Sequence, residues 1–353
     1  LIANIAIAIS AVGYAVALFG LKTTPFETCL LTIVVLWICT VLNFKGAKIT
    51  GLISNFTAWG VIIPVAGISV IGWFWFNPET YISAWNPHDL PTFDAISASI
   101  SMTLWSFLGL ESACANSESV DNPEKNVPKA VLGATIGVAV IYILSTNVAA
   151  GIVDNAELVK STAPFGLVFA TMFNGTVGQI VMGLMIMSCS GSLLSWQFTI
   201  ARVFKSSADE GYFPKWFSKV TNDDAPVLGM TIIVSIQTLM SFMTISPSLY
   251  RQFNTLVDLA VVTNVMPYLL SMAAVFVMLK AEGVSGHQAK VVKLMAFIGT
   301  VYSLYALYAA GYEAMMYGAL ATFAGWFFYG LAAEKLFKRN PQSNVALGVT
   351  GDD

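Results

Sequence analysis

Charge is what this sequence has least of. Asp, Glu, Lys and Arg make up only 10% of its 353 residues, against about 25% in an ordinary soluble domain. A surface so poor in charge faces something other than water, which excludes the pair of soluble domains that length alone would suggest. Histidine is scarcer still, with only His88 and His287, both in connectors. The four cysteines, Cys29, Cys39, Cys114 and Cys189, stand in apolar stretches without metal-ligand spacing. Neither a zinc site nor a disulfide framework is expected. Also missing are a glycine-rich nucleotide loop, a catalytic triad and a HExxH helix. These absences argue against an ATP-driven pump or a membrane enzyme, and no metal, cofactor or nucleic-acid partner is expected.

What the chain has instead is apolar length. Hydrophobic residues make up 56% of it, and the mean hydropathy is +0.72. A membrane helix needs roughly 20 mainly apolar residues. Such runs occur at 1–20, 26–44, 50–76, 93–115, 130–153, 176–203, 226–246, 252–279, 291–312 and 314–334. The reading is therefore an all-α membrane protein of about ten spans. It forms one polytopic domain over 1–353, with a tail from 335 onward. The first run has no basic lead-in and no small-residue cleavage site, so it reads as a membrane helix rather than a signal peptide.

Lys and Arg test this map independently. With the connectors numbered alternately, 14 of the 17 fall on the side of the 45–49 loop, leaving only Lys22, Lys160 and Arg251 opposite. The rich side is cytoplasmic by the positive-inside rule, which counts basic residues rather than the net charge of −3. Both chain ends are then expected in the cytoplasm. Yet Leu1 starts directly inside an apolar helix. The expectation is a chain that begins partway through its own fold.

Ionisable groups inside a span cost about 2.5–3.5 kcal/mol on insertion scales and usually face a bundle interior or a pathway. The fourth span is rich in serine, has Gly109 near its middle and carries Glu111 just beyond. A helix interrupted near Ser106–Gly109 would suit the mid-membrane sites of secondary transporters. The alternative is a tightly packed helix whose small residues serve contact. The sixth span holds Ser188-Cys-Ser-Gly-Ser-Leu-Leu-Ser-Trp196, where the indole reads either as a cavity wall or as a structural anchor. The eighth holds Asp258, either lining a pathway or satisfied locally. Glu27, Asp94 and Glu313 lie near span ends and read as structural. Carboxylates and aromatic rings together suit an organic cation, since a desolvated cation–π contact is worth about 2 kcal/mol.

Several stretches resemble a known family. Trp105-Ser-Phe-Leu-Gly-Leu-Glu111-Ser is similar to the interrupted sixth helix of the basic amino acid/polyamine antiporters, within the amino acid–polyamine–organocation (APC) superfamily. Asn122-Pro-Glu-Lys-Asn-Val-Pro-Lys-Ala130 resembles their Asn-Pro…Val-Pro motif, and Ala208-Asp-Glu-Gly-Tyr-Phe-Pro214 their loop after helix eight. Ser195-Trp-Gln-Phe-Thr-Ile200 strengthens the likeness, which extends along the whole chain.

The resemblance implies a LeuT-like bundle of two inverted repeats plus two helices. The ten spans then match family helices 3–12, and the first two helices, with their Gly-Ser-Gly break, are expected to be absent. It implies a carrier in a bacterial inner membrane that exchanges a putrescine-like diamine for an ornithine-like basic amino acid by alternating access. Protons are a candidate co-substrate, and a homodimer a candidate assembly. The competing readings are a proton symporter or uniporter on the same fold, or a non-transporting fragment. Residue by residue, Trp105 matches the gate tryptophan of helix six and Glu111 the acidic residue below its break. Trp196 matches the tryptophan of helix eight, Tyr329 an aromatic of helix twelve, and Asn4 a binding-site asparagine of helix three. Asp258 falls where relatives carry an uncharged polar residue. With Glu111 it would complement the two ammonium groups of a diamine.

Overall fold

The computed structural model describes residues 1–110, 121–243, 245 and 248–339. They form thirteen α-helices and two 3-10 turns, with no strand among them. In chain order the helices are α1 (Ile2–Leu18), α2 (Pro25–Asn43), α3 (Ala47–Ile71), α4 (Pro78–Trp85), α5 (Thr92–Phe107), α6 (Pro123–Ile152) and α7 (Asn155–Lys160). There follow α8 (Pro164–Met172), α9 (Gly175–Asp209), α10 (Val227–Met243), α11 (Leu249–Ala281), α12 (Gly286–Ala309) and α13 (Tyr312–Arg339).

The helix starts follow from local chemistry. Proline fits the first turn, where its missing N–H would be unpaired anyway. It opens α2, α4, α6 and α8. Side-chain oxygens of Thr24, Asn77, Asp154, Asn174 and Ser248 cap α2, α4, α7, α9 and α11. At α2 the cap is reciprocal: the Thr24 backbone N–H donates to Glu27 Oε2 at 2.7 Å, and Glu27 N–H donates back to Thr24 Oγ1 at 3.3 Å. Glu27 thus ends a helix rather than lining a pathway.

Six helices, counted among the described residues, are long and apolar enough to cross a membrane: α2, α3 with the turn after it, α6, α9, most of α11, and α12. Large apolar side chains such as Leu52, Phe56, Leu132, Ile136, Phe297 and Leu294 are exposed along them. Water would not tolerate so continuous an apolar surface; hydrocarbon requires it. The boundaries differ from the hydropathy reading in instructive ways. Within the span read at 93–115, helix α5 ends at Phe107, and residues 111–115 lie outside the described residues. The sixth span runs on to Asp209, where Lys205 donates to Asp209 Oδ2 at 2.9 Å, one turn later. The Asn-Pro…Val-Pro stretch, read as a connector, forms the first turns of α6.

Long α9 is the spine. It carries α1, α2, α3, α8 and α10 along its length. Where α3 crosses it, the backbones almost meet: a Cβ on Gly191 would lie 1.7 Å from Thr57 Oγ1, and one on Gly60 would lie 2.5 Å from the Leu184 carbonyl oxygen. Buried polar groups fix the register. Asn43 Nδ2 donates to the Leu194 carbonyl at 2.9 Å, Gln197 Nε2 to the Leu36 carbonyl at 3.2 Å, and Trp37 Nε1 to Thr238 Oγ1 at 3.1 Å. Helix α11 leans on α1 from the other side and carries α5, α12 and α13. The junction of these two groups holds the candidate site.

Candidate functional site

Helix α5 stops because its backbone turns. Leu108 is extended at ψ 137°, and Gly109 has φ +102°. Only glycine adopts that conformation without strain. The space is equally restrictive, since a Cβ on Gly109 would lie 2.7 Å from Trp196 Cζ2 and 2.9 Å from its Cη2. The indole of α9 therefore lies directly on the break in α5. Two residues separated by almost ninety positions are joined at the point where a helix loses its hydrogen-bond ladder.

Half a turn before the stop, Trp105 packs against two clusters at once. One contains Ile5, Ala8 and Ile9 of α1, Leu36 of α2, Leu193 and Leu194 of α9, and Leu256 of α11. The other is built from Val257, Val261 and Val265 of α11 with Ala306 and Leu307 of α12. The ring thus spans the gap between α1 and α11. On α1, next to Ile5, Asn4 is only 1% exposed, yet neither its Oδ1 nor its Nδ2 has a hydrogen-bond partner among the described residues. Leaving such an amide buried and unmet costs roughly 1–3 kcal/mol. Residues carrying that cost are characteristic of places that meet something other than their own fold.

Asp258 lies on α11, facing α5. With Asn254 one turn earlier, and with Ser101 and Met102 of α5, it lines a cavity of about 370 Å³. That size falls within the 300–1,000 Å³ usual for small-molecule sites. The turn at 86–90 forms its far rim, with Trp85, Asn86 and His88 lining the cavity. The rim is held by Asn86, whose Nδ2 donates to the Leu90 carbonyl at 2.8 Å and whose Oδ1 accepts from Leu90 N–H at 3.2 Å. No group of three or more His, Cys, Asp or Glu side chains that could hold a metal ion occurs among the described residues.

The structure therefore brings together Trp105, the Gly109 break and Trp196, with Asn4 beside the first cluster and Asp258 in the adjoining cavity. It does not bring Tyr329 there. That side chain is exposed on α13 and stacks on Tyr212, with centroids 6.2 Å apart and planes 18° from parallel. Glu111 lies outside the described residues. Sequence reading missed Ser101 and Asn254. Asn254 carried a faint signal, its spacing of four from Asp258, which puts both on one helix face.

Comparison with known proteins agrees with this architecture. The sequence model of one family, described as amino acid permease, matches residues 1–328. The chain is 66% identical over 334 residues to a protein of Haemophilus influenzae named putrescine transporter PotE, covering 95% of this chain and 77% of that one. It is 62% identical over 340 residues to the Escherichia coli K12 protein of the same name, with 96% and 77% covered. More distantly, it is 30% identical over 275 residues to the cadaverine/lysine antiporter of E. coli K12, covering 76% of this chain and 62% of the relative.

Proposed function

From the premise that the chain belongs to the amino acid permease family, we propose that it is a secondary transporter exchanging a putrescine-like diamine for a basic amino acid of the ornithine kind. The observation that carries this is the 66% identity to a putrescine transporter over 95% of the chain. At such identity the side chains of a buried site have little freedom to differ. A cadaverine/lysine antiporter among the relatives supports exchange of a diamine for an amino acid. These relatives are transporters, not enzymes.

In this reading ten of the helices span the membrane: α1, α2, α3, α5, α6 and α9 to α13. They correspond to helices 3–12 of the family pattern. The Lys and Arg asymmetry supports a bacterial inner membrane protein with its C-terminal tail in the cytoplasm. The diamine sits at the broken α5, where an interrupted helix is tolerated because it lines a cavity. Trp105 and Trp196 offer ring faces to the cation, and Asn4 offers its unmatched amide. Glu111 and Asp258 supply one carboxylate for each ammonium group, while Tyr329 belongs to the inner route. Alternating access is the mechanism of this reading, with α5, held chiefly by α11 and α12, rocking against the α9 spine.

The test is uptake of radiolabelled putrescine by proteoliposomes of the full-length transporter, loaded with ornithine, lysine or buffer alone. Exchange predicts uptake that depends on internal amino acid. Equal uptake with buffer alone overturns it in favour of symport or uniport.

A further inference from the structure

Apolar helices silence their own hydroxyl groups. A serine or threonine in a membrane span normally donates to a carbonyl three or four residues back, which leaves it with little to offer a ligand. Helix α5 follows this rule at four positions. Ser97 donates to the Phe93 carbonyl at 2.9 Å, Ser99 to Ile96 at 2.8 Å, Thr103 to Ser99 at 2.8 Å and Ser106 to Met102 at 2.9 Å. Ser101 breaks it. It is the one residue of α5 that is buried, at 5% exposure, and its Oγ has no fully formed hydrogen bond among the described residues. It stands beside the Asp258 carboxyl, which lines the same cavity.

A second unmatched atom faces the same space. Asn254 Oδ1 is buried without a partner, and Asn254 lines the cavity together with Ser101 and Asp258. Three oxygen-bearing side chains thus converge from two helices: one carboxylate, one amide carbonyl and one hydroxyl. No Lys or Arg lines this cavity. Ala95, Ala98 and Met102 give the wall beside them an apolar stretch, while Asn86 and His88 stand on the far rim.

We propose that Ser101, Asn254 and Asp258 form a cage for one primary ammonium group of the transported diamine, each oxygen accepting one of its three N–H bonds. This deepens the transport reading above and rests on it. A primary ammonium has three donors and no acceptor, so three acceptors around one negative charge match it completely. The apolar walls then receive the adjoining methylenes. The cage also explains selectivity: each N-methyl group removes a donor and leaves a buried oxygen unmet, a strong means of rejecting an analogue.

The experiment measures exchange of external putrescine for internal ornithine in proteoliposomes, with Ser101→Ala, Asn254→Leu and Ser101→Thr variants of the full-length transporter. Losing one hydrogen bond to a charged group weakens binding roughly tenfold. Ser101→Ala and Asn254→Leu should therefore each raise the putrescine KM about tenfold, and Ser101→Thr should restore it. Competition by putrescine methylated on both nitrogens sharpens the result. Wild type should discriminate strongly against that analogue, and the two variants should discriminate less. The cage is wrong if the KM and the methylation penalty stay unchanged in folded variants. It is also wrong if uptake proves sodium-dependent and Ser101→Ala removes that dependence, because the oxygens would then hold a metal cation. Should both variants fail to fold, Ser101→Cys labelled by a small thiol reagent and read at residue 101 by mass spectrometry takes their place. Protection by putrescine supports the cage, and labelling indifferent to putrescine overturns it. Absence of putrescine exchange in wild type would instead defeat the underlying transport reading.

Discussion

Helices α1 and α5 are nearly equal in length, 17 and 16 residues, and both border the candidate site. They are held very differently. Nine residues of α1 are buried, including Ile5, Ile9 and Tyr14, and the helix lies against α2, α9 and α11. In α5 only Ser101 is buried, and its most extensive contacts are with α11 and α12. Burying an aliphatic side chain contributes about 1.5–3 kcal/mol, so α1 is fixed by packing where α5 is not. Low packing is what a moving element needs. Each helix nevertheless carries one buried polar side chain left unmatched: Asn4 in the fixed wall and Ser101 in the lightly held one. A site between a scaffold and a mobile part draws on both.

The sharpest way to break this contrast compares two glycines. Gly191→Ala drives a Cβ into the Thr57 side chain on the scaffold, at its Oγ1 and Cβ. It should destabilise the fold by about 2–3 kcal/mol, read as a lower thermal midpoint in detergent. Gly109→Ala strains the break, where a positive φ costs about 1–3 kcal/mol, and it presses on Trp196. Exchange should fall about tenfold with a midpoint close to wild type. If instead the midpoint collapses while exchange in surviving protein is normal, the break is a packing feature and the contrast fails.

A smaller effect should come from Asn4→Leu. Removing a buried, unpaired amide relieves a desolvation cost, so stability should rise by about 1 kcal/mol while diamine affinity drops. A midpoint that falls would show that Asn4 is satisfied within the fold. The smallest effect belongs to Arg202→Ala. Its 2.7 Å bridge to Asp224 joins side chains 46% and 53% exposed. Unfolding should shift by less than about 1 kcal/mol, and exchange should not change.

Much of this was legible before the structure. Each of the ten apolar runs holds a helix among the described residues, and six of these helices are long and apolar enough to cross a membrane; a span has no other way to pair its backbone. The break after Phe107 was signalled by Gly109 among serines. The short helices α4, α7 and α8 were not foreseen. At eight, six and nine residues they are too brief to leave a periodic signature. Asp258 stood out as a charge in an apolar run, but Ser101 could not. In sequence it is one serine among many, and only its tertiary surroundings leave it unbonded while Ser97, Ser99, Thr103 and Ser106 bond to their own helix. Tyr329 shows the opposite limit: resemblance supplied its role, and the fold places it against Tyr212.

That stacked pair has a mechanical meaning. Tyr212 belongs to the connector leaving α9, whereas Tyr329 belongs to α13. Any rearrangement that parts the last helix from the connector must first unstack two rings, at a cost of about 1 kcal/mol. An energy of that size weights a two-state balance roughly fivefold. In an exchange cycle that parts these two elements, the stack would bias how often one arrangement is occupied rather than how tightly anything is bound.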